Sequence, residues 1–303
     1  MQFGVQSRGD WARLRSVAAW AEGRGLAAFA LPDHYLQRGS EPEKPAWDHL
    51  VHLAALAVET NLELVSLVSP VTFRHPAVLY KMGVTIDESS GGRFTLGLGA
   101  GWMDEEFELF GLPYPDMTER MERFEEAMAY IRAALTPGAV GFTGKYYTLA
   151  EFDPLPHPTN LRLLAGGAGR SKARRITALY ADEYNLYACP PGRYRHIREK
   201  TRSEAVEAGR RADDIFWSSA GPALAARKES DYRRLLEELA EMTGQAPERI
   251  EEVYGERQYP HGSGGKATEM INELEEAGCQ RFYLQIFNTA ITNFDLILDA
   301  YAD

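Results

Sequence analysis

The stretch GGRFTLGLGAGWMDEEFELFGLPYP, Gly91 to Pro115, decides how the rest of the chain is read. Phe94, Leu96 and Leu98 alternate with small residues, the pattern of a buried strand. Gly97, Gly99 and Gly101 then fall at alternate positions as that strand ends. Lacking a Cβ, glycine lets a bulky or flat group lie against the backbone and permits turns closed to other residues. From Trp102 to Phe110 the apolar residues take helical spacing with acids between them. A strand opening through glycines into a helix is where α/β proteins hold ligands. Tight packing of strand against helix would explain the same glycines without a ligand. The spacing G-x-G-x-G is not the dinucleotide fingerprint G-x-G-x-x-G, and it lies mid-chain rather than in a first β-α unit, so a Rossmann domain is set aside.

Outward from that strand, the chain alternates strands and helices. Upstream, strands are expected at 2–6, 27–31 and 63–68, with helices at 11–23, 46–58 and 76–89. Asp10 can cap the first helix and Pro76 suits the first turn of the third. Downstream, a long amphipathic helix at 118–135 and a hairpin-like insertion at 142–149 precede strands at 161–165, 183–187, 215–219 and 281–287. Helices are expected at 171–180, 191–209, 268–277 and 293–301. The charged segment 229–256 reads as helical with no strand. Eight strands in β-α alternation predict an α/β fold, a single (β/α)8 TIM barrel over residues 1–303 with insertions.

Composition narrows the function. With 45% hydrophobic and 25% charged residues the chain has the material for a sizeable core. A net charge of −11 argues against a nucleic-acid surface, and an anionic cofactor would need local cationic groups. Cys189 and Cys279 form no paired motif and suit a reducing cytoplasm. No signal peptide or membrane-length apolar run is legible, so a cytoplasmic location is expected. Seven scattered histidines support no metal site, and no G-x-S-x-G elbow supports a hydrolase.

Four segments resemble the bacterial luciferase-like superfamily, and within it the coenzyme F420 (deazaflavin)-dependent oxidoreductases. They are FALPDHYL at 29–36, SLVSPVTFRHPAVLYKMGVTIDESSGGRFTLGLGAGW at 66–102, TERMERFEEAMAYI at 118–131 and LLAGGAGRSKARRITALYADEYNL at 163–186. They follow the family's order over about two thirds of the chain. The resemblance implies that His34, at a strand end, gives or takes the proton while Asp33 contacts the cofactor ring region. Imidazole titrates near neutrality and suits that task. A histidine that only closes the loop is the plainer alternative. A bulge with a non-proline cis peptide, expected at Ser66–Leu67, would support the ring, with Pro70 the alternative cis site. Gly99 and Gly101 would lie near the ring, and Glu106 is the best of the acids Asp104, Glu105 and Glu106 for a side role.

Gly166, Gly167, Ala168 and Gly169 close the fifth strand before a helix. Free amides at a helix start, with its positive dipole end, form a phosphate site, to which Arg170, Ser171 and Lys172 can add. A simple glycine turn is the alternative. Arg74 and His75 read as loop-capping residues, and Asn185 as a ligand contact or a brace of the sheet. Where the family's sugar-phosphate dehydrogenases carry a glutamate after the third glycine, this chain has Trp102, which points to an apolar substrate wall. The leading expectation is hydride transfer between F420 and a small organic substrate, with loop 32–46 as lid and a homodimer as one assembly. A flavin mononucleotide (FMN) monooxygenase and a cofactor-binding protein without turnover are the rivals.

Overall fold

The computed structural model describes residues 1–36, 45–138, 140–286 and 294–299. Eight parallel strand positions close into a barrel: β1 (Gln2–Ser7), β2 (Ala28–Leu31), β3 (Glu63–Ser66) with its continuation β4 (Ser69–Pro70), β5 (Phe94–Gly99), β8 (Arg162–Gly167), β9 (Glu183–Tyr187), β10 (Phe216–Gly221) and β13 (Arg281–Ile286). The ring closes where β1 pairs with β13, Gln2 opposite Arg281, and β3 with β5, Leu64 opposite Phe94. The expected (β/α)8 barrel is the fold.

Helices α1 (Trp11–Gly23), α2 (His49–Leu56), α3 (Pro76–Ser89), α4 (Asp104–Leu109), α5 (Met117–Leu135), α6 (Ser171–Tyr180), α7 (Pro191–Glu207), α8 (Glu229–Thr243), α9 (Pro247–Arg257), α10 (Lys266–Glu276) and α11 (Asp295–Asp299) surround or extend it. Their starts follow from local chemistry. Asp10 accepts from the Arg13 N–H, Asp48 from those of Leu50 and Val51, and Asp116 from that of Glu119, each satisfying an orphan amide of a first turn. The expected helix at 46–58 is shorter because Asp48 caps it. Residues 37–44 of the expected lid lie outside the described residues, as do the ends of the expected 293–301 helix.

The alternation of β5 is as read: Phe94, Leu96 and Leu98 face the helices in the main core. A second, smaller core fills the barrel interior with Ala28, Ala30, Val65, Leu67, Leu164, Ala220 and Tyr283. Below it lies a polar layer. Arg281 reaches Glu63 at 2.7 Å and Tyr283 Oη at 3.0 Å, and Ser218 donates to Glu183 at 2.6 Å.

Two short elements escaped the sequence. β11 (Leu224–Ala226) and β12 (His261–Ser263) pair in parallel beside α8 and α9, and this excursion has its own core around Tyr232, Leu236, Ile250 and Tyr254. Runs of three residues are too short to show a period. The strand expected at 215–219 runs instead from Phe216 to Gly221. The insertion at 142–149 is the hairpin expected, β6 (Phe142–Thr143) against β7 (Thr148–Leu149). No described helix is long and apolar enough to cross a membrane.

Candidate active site

All eight strands point the same way, so their C-terminal ends share one mouth, where barrels place reactive groups. His34 follows β2 there and is partly exposed, in a cleft lined by Ser7, Leu31, Pro32, Trp47 and His52. Its Nδ1 lies 2.6 Å from Glu106 Oε1, and the other oxygen of Glu106 accepts from the Tyr35 N–H at 2.6 Å. Glu106 is 0% exposed. It therefore supports the histidine from below, through α4, rather than standing open in the mouth. Trp102 packs edge-on to the His34 ring at 5.5 Å and is 52% exposed. Tyr35 stacks on Phe73 at 4.4 Å and meets Phe110 edge-on at 5.4 Å, which fixes the chain just after His34.

Asp33 is 1% exposed, and its carboxylate is engaged on both sides. Arg74 Nη1 donates to it at 2.5 Å and His49 Nδ1 lies 3.0 Å away. Burial alone would raise this carboxyl, but the His49 ring and the Arg74 guanidinium outweigh it and hold it at about 2. Arg74 also binds Asp48, the cap of α2. On the far side, His49 Nε2 contacts Ser66 Oγ at 2.8 Å and Ser69 Oγ at 3.2 Å. Asp33 thus anchors a chain of polar contacts ending beneath the strand break. His49 carried no signal beyond following a good N-cap. Arg74 is a buried clamp rather than a loop cap, whereas His75 does cap α3 by accepting the Ala77 N–H.

The strand break holds a correction. The non-proline cis bond joins Leu67 to Val68, not Ser66 to Leu67. It falls between β3 and β4, where both halves still pair with β5. Gln6 Nε2 donates to Leu67 O at 2.6 Å and the Leu67 N–H to Leu31 O at 2.9 Å. The glycines answer to this break. A Cβ on Gly97 would stand 2.0 Å from Ser66 O, and one on Gly99 or Gly166 would stand 2.8 Å from a Val68 methyl. The G-x-G spacing makes room for the turned backbone and the Val68 side chain. Gly101, with φ +77°, turns the chain toward α4, and its carbonyl accepts from Arg120 at 2.9 Å.

At the β8 end, Gly167, Ala168 and Gly169 lead into α6. Gly169 has φ +75°, and a Cβ there would stand 2.2 Å from the tip of Ile197, so any other residue would be strained. The start of α6 has no acid in its first turn, and its N-cap, Arg170, makes no side-chain cap bond. Its first amides are left without intrahelical partners, as a phosphate-bearing group requires. Arg193 and Arg174 donate to the carbonyls of Ala168 and Gly169 at 3.0 and 3.2 Å, so both oxygens are engaged within the protein. Asn185 braces the barrel, donating to Ser218 Oγ at 2.9 Å.

The protein is a (β/α)8 barrel that brings a carboxylate-backed histidine and an uncapped helix start to the strand ends of one mouth. Residues 2–291 match the model of the luciferase-like monooxygenase family, and the chain belongs to that family. An F420-dependent glucose-6-phosphate dehydrogenase of Beutenbergia cavernae is 30% identical over 71% of this chain and 64% of its own length. The pyrimidine monooxygenase RutA of Caulobacter sp. (strain K31) is 29% identical over 48% of this chain and 42% of its own. In these matches the chain covers less than two thirds of either relative. Among solved structures, an F420-dependent secondary alcohol dehydrogenase superposes with a TM-score of 0.81 at 18% identity, over 100% of this chain and 98% of that one, a likeness of fold. The relatives matched bear the names of a dehydrogenase and a monooxygenase.

Proposed function

We propose that the protein is an oxidoreductase that moves a hydride between coenzyme F420 and a small organic substrate. The observation carrying this reading is His34 held by Glu106 at the mouth, with the uncapped α6 start also at a strand end of that mouth. The deazaflavin, when bound, supplies the hydride chemistry. The amides of Ser171 and Lys172 would hold its phosphate, with Gly167, Ala168 and Gly169 bringing the backbone close. The interior beneath the mouth is lined by small groups and by Leu67 and Val68, a surface suited to a flat ring. Asp33 would act on this surface through His49, Ser66 and Ser69. With Nδ1 occupied by Glu106, His34 has Nε2 left to hold or pass the substrate proton. Trp102 and Phe110 would exclude water and favour an apolar substrate over a sugar phosphate.

FMN-dependent monooxygenation is the second reading, favoured by the match to RutA. The match to the F420-dependent dehydrogenase covers more of the chain, 71% against 48%, which supports the first. Titration of the purified protein with F420 and FMN in parallel tests this. Micromolar or tighter binding of F420, with hydride transfer lost in His34→Ala, is expected. Tight FMN binding with oxygen consumption, and none of F420, would sink the proposal.

A further inference from the structure

Glu183, Asn185 and Tyr187 alternate along β9, and the first two are tied inside the barrel through Ser218. Side chains two apart on a strand share a face, so Tyr187, the last residue, also points inward, at the mouth. It is 43% exposed there, while Tyr184 and Leu186 on the other face are buried. Its hydroxyl is not left to rotate. Tyr259 Oη donates to Tyr187 Oη at 2.9 Å, and Arg257 Nη1 lies 3.5 Å from Tyr259 Oη. A guanidinium can only donate, so Arg257 leaves the Tyr259 proton free for its bond to Tyr187. Tyr187 then has a lone pair engaged and its proton available to the mouth. Tyr259 is held by edge-on contacts with Tyr187 at 6.0 Å and Tyr254 at 5.4 Å. Burial pushes the Tyr187 phenol above its ordinary value, so it remains a donor across the neutral range.

We propose that Tyr187 is a specificity-determining hydrogen-bond donor, aimed by Tyr259 and Arg257 at an acceptor oxygen of the substrate. A neutral phenol offers one directed bond and no full charge, which suits a carbonyl oxygen rather than a carboxylate. The site selects carbonyl compounds over hydrocarbons of the same shape. This rests on reading the mouth as the substrate pocket, but not on which cofactor is used.

The test uses acetophenone and isopropylbenzene, matched in shape and differing in the acceptor oxygen, titrated calorimetrically into the full chain without added cofactor. The wild type is expected to bind acetophenone about five- to tenfold more tightly, the worth of one hydrogen bond. In Tyr187→Phe that preference falls below twofold while isopropylbenzene affinity is retained, and Tyr259→Phe gives an intermediate value. Circular dichroism checks that each variant is folded. A wild type without the preference, or a preference that survives in Tyr187→Phe, overturns the proposal. Failure of both F420 and FMN to bind would instead remove the redox reading and leave this result standing.

Discussion

Asp33 titrates against its surroundings in a way that stability should report. Its carboxyl lies at about 2 in the folded chain against an ordinary 3.8, so the folded state binds its proton less readily than the unfolded one. The resulting stabilisation, about 2 kcal/mol, is fully present above pH 4 and is lost as pH falls toward 2. Asp33→Asn should flatten that acid limb in urea melts recorded at successive pH values. At neutral pH it should cost about 3–5 kcal/mol, because Arg74 and His49 lose their buried partner. An unchanged acid limb would show that Asp33 does not anchor the chain of contacts. At the mouth, His34→Gln should lower the hydride-transfer rate about 10²- to 10⁴-fold in single-turnover measurements, with cofactor affinity within a fewfold of wild type. The residues of the candidate site were unevenly legible. His34 stood out because it follows a strand and titrates near neutrality. Glu106 was one of three successive acids, and only its turn of α4 sets it apart. His49 and Tyr187 had no motif, since their meaning comes from partners 17 and 72 residues away.

Among the elements, the break between β3 and β4 dictates its neighbours. Gly166→Ala should destabilise by about 1–3 kcal/mol, since its Cβ would press on the Val68 methyls. In a Val68→Ala background most of that cost should vanish. Gly97→Ala should find no such rescue, because its Cβ meets the Ser66 carbonyl. Equal costs in both backgrounds, measured by chemical unfolding, would contradict this packing. The glycine spacing was therefore readable as a demand for room, but what fills the room was not. The cis bond lies one position later than the resemblance implied, and no residue type in the segment marks the peptide at which the strand turns. The start of α6 carries its own test. Ser171→Glu places a carboxylate where the helix dipole favours it, so melting temperature should hold or rise. F420 affinity should fall about tenfold while that of its deazaflavin fragment without the phosphate should not change. Equal losses for both would place the phosphate elsewhere.

For the whole molecule, the barrel was legible because hydrophobic period and β-α order are properties of long segments. Its polar floor was not, since Arg281 and Glu63 are 218 residues apart. Arg281→Met should cost about 3–5 kcal/mol by removing the buried cation that pairs with Glu63 and offsets the charge of buried Glu183. A melting temperature unmoved by that substitution would show the floor to be dispensable. The excursion carrying β11, α8, α9 and β12 is a different kind of unit. It leaves the barrel after β10 and returns before α10, folds around its own core, and brings Tyr259 against the rim. Such an arrangement separates two inheritances. The barrel can stand unaltered while one cassette, about forty residues long, is redrafted without disturbing the ring of strands.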